Sequence, residues 1–264
     1  MKTKRISWDA ASGMLLGLAI GDALGASLEF HSSREPENYL REYKSGGPHN
    51  LPAGYWTDDT SMALAIAEGL LVRNGEFDPH LIMENFVSWM TDGEFSSTGT
   101  CFDIGMTCQM ALGKYRKDKS NPYCGPTDPY RAGNGALMRT APVIIAARDE
   151  REAIENALLQ TRLTHGCTEC LQYSEAFARE LWVGKALREY RHLKLPVDTH
   201  RNEVRSLVGE EKGNFIDEIL NYGQLSLIFS NNTLSCVVKN SCWGGGYMVS
   251  CKMVRITKRK CILK

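Results

Sequence analysis

The run Tyr55-Trp56-Thr57-Asp58-Asp59-Thr60-Ser61 constrains this chain more than any other segment. Two adjacent carboxylates lie between two hydroxyls, directly before an apolar helical stretch carrying Met62, Leu64, Ala65, Ile66, Leu70 and Leu71. A Thr-Asp-Asp run at a helix start can aim two side chains into one cleft while its neighbours cap the helix. Carboxylate, hydroxyl and water oxygens are the donors that hard cations such as Mg²⁺ and Mn²⁺ accept. Thr57, Asp58 and Asp59 are therefore candidate metal ligands, and N-capping by the same residues is the alternative reading.

Helical periodicity runs through the first two thirds of the chain. The spacing of apolar residues predicts helices over 8–24, 60–72, 103–115, 136–147, 151–163 and 168–190, with Pro142 placed to kink the fourth. Asp78-Pro79 reads as an N-cap followed by proline at the first helical position, opening a further helix through Leu81, Ile82, Phe86, Val87 and Trp89. Weaker helical patterns cover 201–207 and 214–220. The connections are rich in Gly, Pro and Ser, as in Ser45-Gly46-Gly47-Pro48 and Ser96-Ser97-Thr98-Gly99-Thr100, and few runs alternate as strands do. With no repeat and no evident linker, the expected architecture is all-α: a single compact helical domain over 1–220.

Charge and cysteine usage narrow the class. Thirty-one basic residues balance 31 acidic ones, so nothing indicates a nucleic-acid footprint. The sequence reading finds no apolar run long enough to span a bilayer, and no cleavage site follows Met14–Ile20; a buried helix and a cytoplasmic protein, with no membrane partner, are the expectations. Nine cysteines without scaffold spacing fit reduced thiols. Cys167-Thr168-Glu169-Cys170 is a lone CxxC. Redox pair, half a zinc site and two semi-buried thiols near a helix start are its readings, and without a second pair the last is preferred.

The C-terminal stretch differs. Residues 219–264 contain no Asp or Glu, although they hold four of the nine cysteines, and Trp243-Gly244-Gly245-Gly246-Tyr247 and Lys258-Arg259-Lys260 lack helical period. A divergent tail over 221–264 is expected. A basic interaction tail is one account of it. An end that has lost its ancestral pattern, for instance through a frameshift, is the preferred one.

Three segments recur together: Gly13–Phe30 (GMLLGLAIGDALGASLEF), Trp56–Met62 (WTDDTSM) and Arg131–Arg139 (RAGNGALMR). Phe102-Asp103-Ile104-Gly105 and Thr164-His165-Gly166 join them in order. Together they resemble the ADP-ribosylglycohydrolase family, over roughly residues 8–220. The resemblance implies an all-α fold with a central cleft holding a binuclear Mg²⁺ or Mn²⁺ site. It implies hydrolysis of the bond joining ADP-ribose to a protein side chain, often arginine, or to a small molecule, so that an ADP-ribosylated protein or a small ADP-ribose conjugate is the expected partner. The family's first metal cluster matches Thr57, Asp58 and Asp59, and its acidic residue after the first helix, with a catalytic role, matches Glu29. Its substrate contacts match Asp103, Gly105, Gly133, Asn134, Gly135, Ala136 and His165.

The residues carry these roles on their own chemistry. Glu29 can hold or deprotonate a water near the anomeric carbon, or be a solvated helix-end carboxylate. Asp103 can bind ribose hydroxyls or cap the following helix. Gly133-Asn134-Gly135, before a helix expected at Ala136, can bring backbone N–H groups to a phosphate. Many relatives carry Ser at the position of Ala136; Ala forgoes a hydroxyl contact and leaves the backbone cradle. His165 can touch the ligand or serve the structure, and Asp22 is expected to tie the first helix down. One departure stands out: the family closes its metal site with a late Asp-x-Asp-Thr, and this chain has no Asp after Asp217. Ligands for a second ion are not found in the sequence. Hydrolysis impaired by that loss, or a non-catalytic ADP-ribose or nucleotide binder, are the two functional expectations.

Overall fold

The computed structural model describes residues 8–31, 40 and 42–189. The helices expected over 201–207 and 214–220, the boundary at 220 and the carboxylate-free tail lie outside the described residues. Seven α-helices occupy the described part: α1 Trp8–Gly25, α2 Asp58–Val72, α3 Pro79–Asp92, α4 Met106–Lys117, α5 Ala141–Ala146, α6 Glu150–Thr164 and α7 Thr168–Glu189. Among the described residues the β-type pairing is a single antiparallel bridge, Gly46 with Leu51. The all-α expectation holds.

The core forms where α2, α3, α4, α5 and α6 turn their apolar faces together. Met62, Ile66, Ile82, Met83, Phe86, Leu112, Val143, Ile144 and Leu163 are fully excluded from solvent. Each such side chain contributes about 1.5–3 kcal/mol by leaving water. Helix α3 has the predicted start: the Asp78 carboxylate accepts from the backbone N–H groups of His80 and Leu81, and Pro79 follows. It stops at Gly93, whose φ of 75° is left-handed.

No apolar run is expected to reach bilayer length, and here helix α1 corrects the sequence reading. The window Ala11–Leu28 is long and apolar enough by length and composition, with mean hydropathy 1.4. Its chemistry is nonetheless that of a packed helix. Met14, Ala23, Leu24 and Ala26 are buried, α1 packs on α2 and α5, and Asp22 within the window bonds to the start of α2.

Two other boundaries moved. Helix α4 begins at Met106, three residues later than predicted, because Asp103 adopts φ 57° and Gly105 is extended. The helix expected over 136–147 is only Ala141–Ala146. Residues 134–140 instead form successive turns, with Leu137 N–H donating to Asn134 O and Thr140 N–H to Leu137 O. Pro142 then falls in the first turn of α5, where its missing N–H does no harm.

Candidate active site

The start of α2 is capped from another helix. Thr57 stands at the N-cap position, yet its side chain makes no capping bond. The carboxylate of Asp22, near the end of α1, does that work. It accepts from Thr57 N (3.0 Å), Thr57 Oγ1 (2.9 Å), Thr60 N (3.0 Å) and Thr60 Oγ1 (2.6 Å). Asp22 thus ties α1 to α2, as expected. The carboxylates of Asp58 and Asp59 are thereby released from capping. Upstream, Trp56 fixes the entry to the helix: its Nε1 donates to Phe95 O, and Ser97 Oγ donates to Trp56 O.

Around this helix start the fold gathers five carboxylates. Glu29 lies just past the 3-10 turn Ala26–Leu28 that extends α1, and Asp103 lies in the left-handed turn before α4. The N-cap alternative for Asp103 does not hold, since Gly105 occupies that position in α4. Burial, then the charges of Asp103, Asp59 and Asp22, push Glu29 up to about 9. Burial, then Asp22 and Asp103, push Asp59 up to about 7. Asp58, only 9% exposed, is driven well above the carboxylate range by burial and by Asp59. Burial also raises Asp22 despite its four donors, and raises Asp103 despite His49. Carboxyls this crowded bind protons more tightly than free ones, and an opposite charge among them would relieve the crowding.

His49 is the member of this site that sequence reasoning missed. Its Nε2 lies 3.1 Å from Glu29 Oε2 and 3.2 Å from Asp103 Oδ1. Its ring is tilted against Phe102 and meets Phe30 edge-on. His49 Nε2 thus bridges the two carboxyl groups. The signal lay in Gly47, two residues earlier: a Cβ there would come within 2.7 Å of Ser27 Cα. Only glycine permits that approach at φ 73°, and it brings the Gly46–Leu51 loop onto the end of α1 beside Glu29. The donor atoms of Glu29, His49 and Asp103 all lie within 4.8 Å of one another, close enough to share one ion.

The glycine loop forms the other side. Gly133, Asn134 and Gly135 are half-buried, and Ala136 is buried. No helix starts at Ala136, so the loop's amides are presented by turns rather than by a helix N-terminus. His165 closes α6 and is 3% exposed; burial, then Arg139, hold it neutral, down to about 3. Its ring lies beneath the loop, so that a Cβ on Gly133 would sit 3.3 Å from Nε2 and one on Gly135 3.0 Å from Cε1. Cys108 of α4 reaches both sides: its Sγ would stand 3.2 Å from a Cβ on Gly135, and it acts on Asp58. Gly105, at the exposed N-cap of α4, is the farthest toward solvent of the expected contacts. The CxxC thiols are buried, with Cys167 Sγ donating to Cys170 Sγ at 3.2 Å and Cys170 Sγ to Gly133 O at 3.4 Å. They pack behind the loop, as the two-thiol reading expected.

The residues fit a hard divalent ion on the chemistry of the donor set. Glu29, His49 and Asp103 bring donor atoms within 4.8 Å of one another, the charges of Asp59 and Asp103 act on Glu29 and Asp58, and the Thr57 hydroxyl lies 3.5 Å from Asp59 Oδ2.

Comparison with known proteins shows the family. The family model described as ADP-ribosylglycohydrolase matches residues 2–244. An ADP-ribosylarginine hydrolase, Tri1, of Serratia proteamaculans is 42% identical over 166 residues, covering 62% of this chain and 44% of that protein. An ADP-ribosyl-[dinitrogen reductase] glycohydrolase of Rhodospirillum rubrum is 35% identical over 164 residues, covering 60% and 51%. A solved ADP-ribosylglycohydrolase-related protein complex aligns with a TM-score of 0.53 at 36% identity, covering 73% of this chain and 65% of its own. The chain spans about half the length of the curated relatives it matches.

Proposed function

We propose a function from one premise: this chain belongs to the ADP-ribosylglycohydrolase family. Its cleft is read as a divalent-dependent hydrolase site that removes ADP-ribose from a modified side chain, with ADP-ribosyl-arginine as the first substrate to try. The observation that carries the reading is the convergence of Glu29, Asp58, Asp59 and Asp103 at the start of α2, beside the Gly133–Gly135 loop. The names of the relatives support the same chemistry.

Thr57, Asp58 and Asp59 would hold Mg²⁺ or Mn²⁺. Thr57 gives its hydroxyl proton to Asp22, which leaves its lone pairs to accept. When bound, such an ion polarises sugar hydroxyls and orients water. The chain's own groups do the rest. The Gly133-Asn134-Gly135 amides receive the pyrophosphate and Asp103 accepts from ribose hydroxyls. Glu29 orients the attacking water and takes its proton once neighbouring charge is neutralised. Water oxygen then bonds to the anomeric carbon as its bond to the side-chain nitrogen breaks, and the proton taken by Glu29 passes to the departing nitrogen. The excluded surroundings of Asp58 strengthen each of these interactions. The five described cysteines are free thiols, which supports placing the protein in the cytoplasm.

Asp58→Ala should abolish divalent-stimulated release of ADP-ribose from ADP-ribosyl-arginine; unchanged turnover would remove Asp58 from the metal site. A second reading is favoured by one observation, the absence of an Asp-x-Asp-Thr after residue 218. It makes the chain a binder of ADP-ribose without turnover, and binding that ignores EDTA would select it.

A further inference from the structure

The most unusual group in the core is Arg139. It is fully buried, its guanidinium bonds directly to uncharged groups, and the charge of Asp58 acts on it without a direct ion pair. Nε donates to Gln160 Oε1 (2.9 Å), Nη2 to Gln160 O (3.1 Å) and Thr164 Oγ1 (2.6 Å), and Nη1 to Met62 Sδ (3.3 Å). The plane lies over the Phe86 ring, 4.5 Å from its centroid. Among the described residues no carboxylate forms an ion pair with it. Burying a charge without a directly paired opposite charge is costly for a core. An apolar side chain would fill the same space without that penalty, so the fork itself is what the fold retains.

Both arms of the fork end at the glycine loop. Gln160, held by Nε, donates from its Nε2 to the carbonyl of Ala136 at 2.9 Å. Thr164, held by Nη2, lies 2.8 Å from His165 Nδ1. Because Arg139 only donates, Thr164 Oγ1 accepts from it and still has a lone pair and its own proton with which to bond Nδ1. One arm fixes where the loop ends, and the other fixes the ring that floors it.

We propose that Arg139 is a positioning residue for the Gly133–Gly135 loop, acting through Gln160 on the Ala136 carbonyl and through Thr164 on His165. The inference rests on reading this loop as the ADP-ribose cradle. Fully satisfied buried networks of this kind rigidify what they touch. Loss of the Thr164 arm alone leaves the fold's helices in place and loosens the loop.

Arg139 variants risk misfolding, so the test uses Thr164. Thr164→Val removes the hydroxyl at nearly constant shape, and Thr164→Ser restores it. Two readouts apply to each: hydrogen exchange of the 133–136 amides in the free chain, and calorimetric affinity for ADP-ribose in EDTA. Thr164→Val should speed exchange at these amides, leave α2 and α3 protected as in wild type, and weaken ADP-ribose about fivefold, the size of one lost hydrogen bond. Thr164→Ser should restore both. Unchanged loop exchange, or acceleration spread evenly over every helix, would overturn the proposal. If wild type fails to bind ADP-ribose, the cradle reading falls, and the exchange pattern still decides whether the fork positions the loop.

Discussion

Two clusters meet around Cys108 and are held by different means. On the acidic side, Glu29, Asp58, Asp59 and Asp103 raise one another's proton affinity, and His49 is the basic partner that touches two of them. On the loop side, Arg139, Gln160, Thr164 and His165 bond to one another and to Ala136. The second side is held by its own hydrogen bonds. The first keeps carboxyls whose proton affinities are raised by burial and by one another. On the acidic side Asp22 does the capping so that Asp58 and Asp59 need not.

Breaking that division at Asp22 should have the largest effect on the fold. Asp22→Ala strands the N–H groups of Thr57 and Thr60, and should cost about 2–4 kcal/mol in denaturant unfolding. Asp22→Asn, which keeps one acceptor, should cost less. Equal stability of Asp22→Ala and wild type would show that α2 does not depend on its cap from α1.

The contrast can be sharpened with pH. An acid whose folded pKa lies above its unfolded value binds more protons when folded, so its stabilising effect is full at low pH and is lost as pH rises through the folded value. For the acidic side that window runs from the ordinary carboxylate range near 4 up to about 9, through Asp59 near 7 and Glu29 near 9. Without divalent ions, this cluster's contribution to the melting temperature should fall by a few degrees across the window, and Mn²⁺ should raise the melting temperature more at pH 8 than at pH 5. The Asp58→Ala, Asp59→Ala double variant should lose most of both trends. A flat profile in wild type would mean that the cluster is already neutralised.

On the loop side the expected effects are smaller. Gly135→Ala places a methyl 3.0 Å from His165 Cε1 and 3.2 Å from Cys108 Sγ. The neighbours must shift by a few tenths of an ångström, so ADP-ribose affinity should fall by about threefold to tenfold with little change in melting temperature. Undiminished affinity would show that the loop tolerates crowding from below.

Much of the fold was legible because local signals agreed with tertiary packing. Asp78-Pro79 opened α3, and the apolar spacing of 60–72 and 151–163 located α2 and α6 within a residue or two. Periodicity misled where a buried polar group overrode it. Ala136–Thr140 carries a helical pattern, yet Arg139 must reach Gln160 and Thr164, and the backbone turns to allow it. Asp103 sits in a helical pattern and takes a left-handed conformation beside His49. The Thr57-Asp58-Asp59 cluster was visible as a motif. The capping of that cluster by a residue 35 positions earlier was not, because it depends on how α1 packs on α2. His49 was hidden for the same reason, since its place depends on Gly47 meeting Ser27 across the fold.

The most direct test of the account is release of ADP-ribose from an ADP-ribosyl-arginine substrate by the purified chain, with Mg²⁺ or Mn²⁺ and with EDTA. The account predicts release that EDTA abolishes and that added divalent ion restores. Folded chain that binds ADP-ribose and releases none from the substrate under either condition would contradict it.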